Sequence, residues 1–232
     1  MQNYYADKLN ASKLFQVYET RIERVRQYLE AEIEFVRKSL RGNERILELG
    51  AGYGRIMKEL APYAGSIVGV DISEDTVAFG REYLREFPNC SLLVMDAHGI
   101  DFRNEFDIVL CLQNGLSAIK GDPLDLVRRA MDALKPGGRA FFSSYSPRFW
   151  ETRLAWFQEQ ASRGLLGEID MEKTRDGVIV CKDGFTATTF SAADLAELGN
   201  RVGCACRIEE VDESSLFAVF EKENGVYHYK NE

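Results

Sequence analysis

Three glycines alternate in "ILELGAGYGR" (46–55), at Gly50, Gly52 and Gly54, directly after a short apolar run. Glycine at such a turn permits φ above zero and a close approach of backbone to a ligand. Asp71 closes the next apolar run, "SIVGVD" (66–71), about 20 residues beyond the first glycine, where an acidic side chain meets ribose hydroxyls. Asp96 closes "SLLVMD" (91–96) and is followed by Ala97. A triphosphate loop would need a Gly-Lys-Ser/Thr ending, and none is present. The dinucleotide fingerprint G-x-G-x-x-G fits at Gly50 and Gly52, but its third position is Arg55. A glycine loop with two acids on one rim describes a nucleoside site without a pyrophosphate cradle.

These residues need elements to hold them. "RILEL", "SIVGVD", "SLLVMD", "FDIVLCL" (106–112) and "RAFFSSY" (139–145) are apolar runs without polar alternation. Such runs suit strands buried on both faces of a parallel sheet. Helical stretches over 54–63, 74–86 and 122–134 separate them; Ser73 is placed to cap the second, and "KPGG" stops the third. Strand and helix alternate, so the expected fold is α/β, doubly wound and mostly parallel. Before it, apolar residues from Leu14 to Leu40 recur at threes and fours, an amphipathic helix. After it, 149–163 reads as helix. Asp176-Gly177 and Asp183-Gly184 then divide 168–190 into an antiparallel meander. Ser191 and Asp194 open a further helix, and "CRIEEVD" and "SLFAVFEK" close the sheet as two strands around a turn near Glu213-Ser214, giving seven strands. The expected division is 1–44 as an N-terminal helical cap, 45–145 with 191–223 as the main domain, and 146–190 as an inserted helix and antiparallel lid.

Composition narrows the partners. The 232 residues carry a formal net charge of −8, without the basic footprint of a nucleic-acid binder. No run approaches the ~18–20 apolar residues that span a bilayer, so no membrane partner is expected. The first thirty residues lack an apolar signal core. The five scattered cysteines form no CxxC pair and suit reduced thiols in a cytoplasmic protein; no metal site is expected.

With "ILELGAGYGR", "VGVDIS" (68–73), "VMDAHGIDF" (94–102), "FDIVLCLQNGLSAI" (106–119) and "LKPGGRAFFS" (134–143) in this order and spacing, the chain resembles the class I S-adenosylmethionine-dependent methyltransferases over roughly 45–221. The resemblance implies a Rossmann-like fold with S-adenosyl-L-methionine as cofactor. It implies that Gly50, Ala51 and Gly52 lie against the methionine part, with Glu48 and Arg55 nearby. Asp71 would take the ribose hydroxyls, Ile72 would pack on the adenine, and Asp96 and Ala97 would meet its edge. Leu112 and Gln113 would flank the sulfonium. Members that methylate exocyclic base amines carry prolines after the fourth strand; "LQNG" has none.

Methyl transfer asks the protein mainly for alignment, because the cofactor carries the reactive group. Gln113 and Asn114 are the candidates to orient a substrate. Tyr145, Trp150 and Trp156 follow the fifth strand, where aromatic faces attract cations or pack a lid. Tyr4, Tyr5 and Tyr18 lie in the segment expected to close over the cofactor. His98 falls near the adenine end and His228 in a polar tail. Cys111 and Cys181 would have to meet to handle a metalloid. The expected activity is methyl transfer to the N, O or S atom of a small molecule by a monomer or homodimer. Protein or RNA methylation, and non-catalytic cofactor binding, are the alternatives.

Overall fold

A computed structural model describes residues 11–224. Five parallel strands form its centre: β1 (Arg45–Leu49), β2 (Ser66–Asp71), β3 (Cys90–Val94), β4 (Phe106–Cys111) and β5 (Leu134–Tyr145). A two-residue antiparallel pair, β6 (Ile179–Val180) and β7 (Thr186–Ala187), stands apart. Strands β8 (Ala205–Val211) and β9 (Ser215–Glu221) complete a seven-stranded sheet of order β3-β2-β1-β4-β5-β9-β8, with β9 antiparallel to both neighbours. The order reverses at β1 and β4, so the carboxyl ends of these strands border the crevice where open α/β sheets bind ligands.

The unbroken apolar runs have a direct cause. Alternate residues point to opposite faces, and both faces are covered. Leu47, Val109, Phe142 and Ala218 face one core with helices α6 (Pro123–Ala133) and α8 (Ala192–Val202). Ile46, Leu110, Phe141 and Val219 face the other with α3 (Arg55–Leu60) and α4 (Glu74–Tyr83). Ser73 caps α4 by accepting the Thr76 N–H, and Ser191 and Asp194 form a reciprocal capping box on α8, as their spacing predicts. Strand β5 begins at Leu134, so "KPGG" already runs in the strand, beside an irregularity of register between Phe106 and Ile108. Within the C-terminal hairpin the left-handed residues are Asp212 and Glu213; Arg24 and Gln27 bind the Asp212 carboxylate, at 2.7 and 2.6 Å.

A third core lies over the carboxyl ends of the strands. It joins Val17, Val25 and Tyr28 to Phe149, Trp156 and Phe157, and to Ile169, Ile179 and Phe185. The expected single helix before the sheet is two, α1 (Ala11–Tyr18) and α2 (Glu23–Arg37). The break at 19–22 is held by α7 (Trp150–Ser162). The Thr20 hydroxyl donates to Glu159 Oε2 (2.5 Å) and the Arg21 N–H to Oε1 (3.1 Å), while Ile22 N–H turns back to the Thr20 hydroxyl. A threonine that satisfies its neighbour's N–H in this way competes with helix. The meander folds at both Asp-Gly sites: Asp176 and Gly177 have φ of 52° and 78° and close a two-residue turn between Arg175 and Val178. Ile169 bridges Cys181 to add a third short pass. Among the described residues no helix is long and apolar enough to cross a membrane.

Candidate active site

Where β1 ends, the chain turns through Gly50 (φ +68°), Gly52 (φ +56°) and Gly54 (φ +86°), the last opening α3. A Cβ at Gly52 would lie 3.0 Å from Leu14 of α1, so the loop is tight as well as left-handed. Asp71 locks it from β2: Oδ2 accepts the Gly52 N–H (2.9 Å) and Oδ1 the Ser73 N–H (3.0 Å). Burial raises the Asp71 pKa against the pull of these two donors. Each oxygen keeps further acceptor capacity. Next to it Ile72 is 48% exposed, an uncovered apolar side chain on the rim. Asp96 caps the turn Ala97–Gly99 through the His98 N–H.

Gly50, Gly52, Asp71, Ile72, Asp96 and Ala97 line one cavity of about 370 Å³, with Glu48, Ala51, Arg55, Leu112 and Gln113. Among the described residues, several polar atoms in its wall lack partners. Glu48 is 3% exposed, and its Oε2 bonds to nothing. Burial pushes its carboxyl up to about 8; Arg55 opposes the shift and Asp71 adds to it. The Arg55 guanidinium lies 4.8 Å from the Tyr18 ring centre, with Nε and Nη2 buried and unpartnered. Gln113 Nε2 is a third such group. A buried polar group without a partner costs ~1–3 kcal/mol, more when charged, so the wall is built for a guest that supplies the missing bonds.

Gln113 and Asn114 are consecutive left-handed residues (φ 53° and 61°) at the end of β4. They separate in role. The Gln113 N–H donates to Glu32 Oε2 (3.0 Å) and Ser143 Oγ (2.8 Å), and its side chain lines the cavity. Asn114 does not line it. Its Nδ2 donates to Thr188 O (2.7 Å) and its Oδ1 accepts from Ser144 Oγ (2.9 Å), so both ends of the amide tie the meander to β5. Where a substrate contact was expected of Asn114, one N–H and one lone pair of its amide are engaged by the protein itself, and the side chain lies off the cavity lining.

Tyr18, Tyr145 and Trp156 line the cavity, whereas Trp150 packs against the third core. The Trp156 N–H donates to Val17 O (3.2 Å), pinning α7 to α1. His98 lies off the cavity lining, with Nδ1 2.7 Å from Asp125. Cys111 belongs to the sheet core and Cys181 to the third core, so they do not converge; burial raises both thiols. Tyr4, Tyr5 and His228 lie outside the described residues. Among the described residues no three His, Cys, Asp or Glu side chains gather as metal ligands.

Sequence reasoning missed Leu14, Gln160, Leu166 and Phe185 in the lining, and Glu32 behind Gln113. Glu32 left a signal: it sits four residues from both Tyr28 and Val36, an acid in a buried stripe. It is held by the Ser215 hydroxyl (2.7 Å) as well as by Gln113, and burial outweighs these bonds to raise its pKa.

Residues 46–138 match the family model described as a methyltransferase domain. Over this stretch the chain is similar to methyltransferase domains. The chain is similar, at 29% identity over 147 residues, to a ubiquinone biosynthesis O-methyltransferase of Hydrogenovibrio crunogenus, covering 62% of this chain and 56% of that one. The chain spans about half the length of the curated relatives it matches. A solved protein of Pyrococcus horikoshii superposes with TM-score 0.64 at 21% identity, covering 96% of this chain and all (100%) of the other. The 1,6-didemethyltoxoflavin-N1-methyltransferase of Burkholderia thailandensis, solved with its substrate and S-adenosylhomocysteine, superposes with TM-score 0.63 at 16% identity, covering 96% and 91%. At such identities the solved structures speak for the Rossmann-like fold alone.

Proposed function

We propose that this chain transfers a methyl group from S-adenosylmethionine to a small-molecule acceptor. The observation that carries the reading is the set of unmet polar atoms around the glycine loop. A zwitterionic amino-acid group supplies what Glu48 Oε2 and the Arg55 guanidinium lack, an ammonium for the first and a carboxylate for the second. A vicinal diol suits the remaining acceptor capacity of the two Asp71 oxygens. Ile72 offers an uncovered apolar surface for a base, and Asp96 and Ala97 lie in the same wall. An amino acid, a ribose and a base along one cavity are the parts of this cofactor, with no room called for by a pyrophosphate. When bound, S-adenosylmethionine would supply an electrophilic methyl to the acceptor's lone pair, the sulfur keeping the bonding pair, and the acceptor's proton would pass to solvent.

The chain's own residues align the acceptor and exclude water. Leu112 and Gln113 stand at the end of β4 between the glycine loop and the aromatic part of the cavity. Tyr18 and Tyr145 stay protonated because burial raises both phenols, so they donate hydrogen bonds and do not act as bases near neutral pH. A nucleophile with a ready lone pair needs no stronger base. Roofing by α1, α7 and the meander supports a small acceptor over a polymer, and the five free cysteines support a reducing, cytoplasmic setting.

Calorimetry tests the reading first: S-adenosylmethionine and S-adenosylhomocysteine should bind and NAD should not. Release of S-adenosylhomocysteine on addition of small-molecule fractions should follow. NAD binding in place of the sulfonium cofactor overturns the proposal; cofactor binding without any release makes the protein a sensor instead.

A further inference from the structure

Away from the glycine loop, the same cavity holds a second set of unmet polar groups, and these are amides. Gln160 is 3% exposed, lines the cavity, and its side chain makes no hydrogen bond among the described residues. Helical spacing sets it on one face of α7 with Trp156 and Phe157, both of which also line the cavity. Gln113, with its unpartnered Nε2, enters from the end of β4. A primary amide offers donors and an acceptor but no charge. Tyr18, Tyr145 and Phe185 line the same cavity.

The rings would ordinarily welcome a cation, but three of them, Tyr18, Tyr145 and Phe157, already carry a guanidinium on one face. Arg55 lies over Tyr18 at 4.8 Å, and Arg153 over Tyr145 at 4.5 Å and over Phe157 at 5.4 Å. Arg153 is 1% exposed and reaches the Gly177 and Ala187 carbonyls, so it is a fixed positive charge behind the wall. A cationic acceptor would meet both guanidinium groups. An anionic acceptor fares no better: Arg153 does not reach the cavity, the open donors of Arg55 lie at the amino-acid end, and the Lys120 ammonium in the lining is turned to the Ser117 carbonyl (3.1 Å). A charge buried there would stay unpaired. An uncharged ring with polar edges meets the aromatic walls by edge and face, and the amides by hydrogen bonds.

We propose that the acceptor is an uncharged, planar ring compound whose polar edges are held by Gln113 and Gln160, with Gln160 as a specificity-determining residue. This rests on the methyltransferase reading above. Four para-substituted benzenes of similar size serve as probes: 4-hydroxyacetophenone (neutral, two polar edges), 4-hydroxyphenylacetate (anionic), tyramine (cationic) and 4-ethyltoluene (no polar edge). Each is titrated by calorimetry into protein saturated with S-adenosylhomocysteine, at mildly acidic pH where the first is neutral. The neutral polar probe should bind at least ~10-fold more tightly than the other three. Gln160→Leu should erase that preference by weakening 4-hydroxyacetophenone ~10-fold while 4-ethyltoluene binds as well or better. A charged probe or the hydrocarbon binding as tightly in the native protein overturns the inference, and needs no variant to be folded. So does Gln160→Leu with an unchanged order of probes. The S-adenosylhomocysteine titration separates the two levels. Its failure removes the methyltransferase reading and this inference with it; a normal titration followed by the wrong probe order removes this inference alone.

Discussion

The two halves of the cavity are made in different ways. Around the cofactor half, each residue is placed by its own turn of chain: a left-handed glycine after β1, an acid at the last position of β2, a capped turn after β3. The acceptor half is assembled across long stretches of sequence. Trp156 is pinned to Val17, Thr20 to Glu159, and Asn114 to Thr188. The first half follows from backbone conformation, the second from a core that closes only when α1, α7 and the meander meet. Damage to the first should therefore strike cofactor binding, and damage to the second should strike turnover and stability.

Gly52→Val should break the comparison hardest. It puts a β-branched residue at φ +56° with Leu14 3.0 Å from the new Cβ. Backbone strain of ~1–3 kcal/mol should lower stability, and the side chain should remove cofactor affinity beyond ~100-fold, read by denaturant melts and calorimetry. Normal binding would mean that the loop is only a turn.

Trp156→Ala should do the reverse. Losing a buried indole and its bond to Val17 should cost ~3–5 kcal/mol of stability and most of the turnover. S-adenosylhomocysteine affinity in the folded fraction should hold within a few-fold. Equal loss of both would show that the halves are one cooperative unit.

Next comes Asp71→Ala. It removes charge-assisted hydrogen bonds worth ~1.5–3 kcal/mol each and releases the Gly52 N–H, so cofactor affinity should fall by ~10- to 100-fold. Unchanged affinity would remove Asp71 from the site.

Legibility in the sequence divides along the same line. The glycines, Asp71, Asp96 and the caps at Ser73 and Ser191 were readable because each satisfies a need of its own few residues. Strands β1, β4, β5 and β9 were readable because burial on two faces leaves continuous apolar runs. Asn114 was ambiguous, since a polar residue beside a site looks the same in sequence whether its amide meets a ligand or bonds within the protein, as it does to Thr188 and Ser144. Gln160 and Phe185 were invisible because their places depend on how the meander packs. The break after Tyr18 was invisible because its cause, Glu159, lies far along the chain.

The smallest effect is a proton. Burial holds Glu48 at about 8, so below that pH the carboxyl is mostly protonated in the free protein. An ammonium beside it favours the ionised form, and roughly one proton should leave per cofactor bound at neutral pH. Calorimetry in buffers of different ionisation enthalpy reads this directly, and Glu48→Gln should abolish the release. For stability the sign runs the other way from a salt-bridged acid. The raised pKa favours the folded state below the ordinary carboxylate range, and that contribution is lost as pH rises through about 8.

The central claim is methyl transfer to small molecules, and one measurement meets it most directly. S-adenosylmethionine carrying a labelled methyl is incubated with the protein and a whole-cell extract, which is then separated into low-mass, protein and RNA fractions. The account predicts label in the low-mass fraction, in a ring compound heavier than its precursor by one CH₂, with S-adenosylhomocysteine formed in equal amount. Label confined to the protein or RNA fraction, or no transfer by a protein that binds the cofactor, would contradict it.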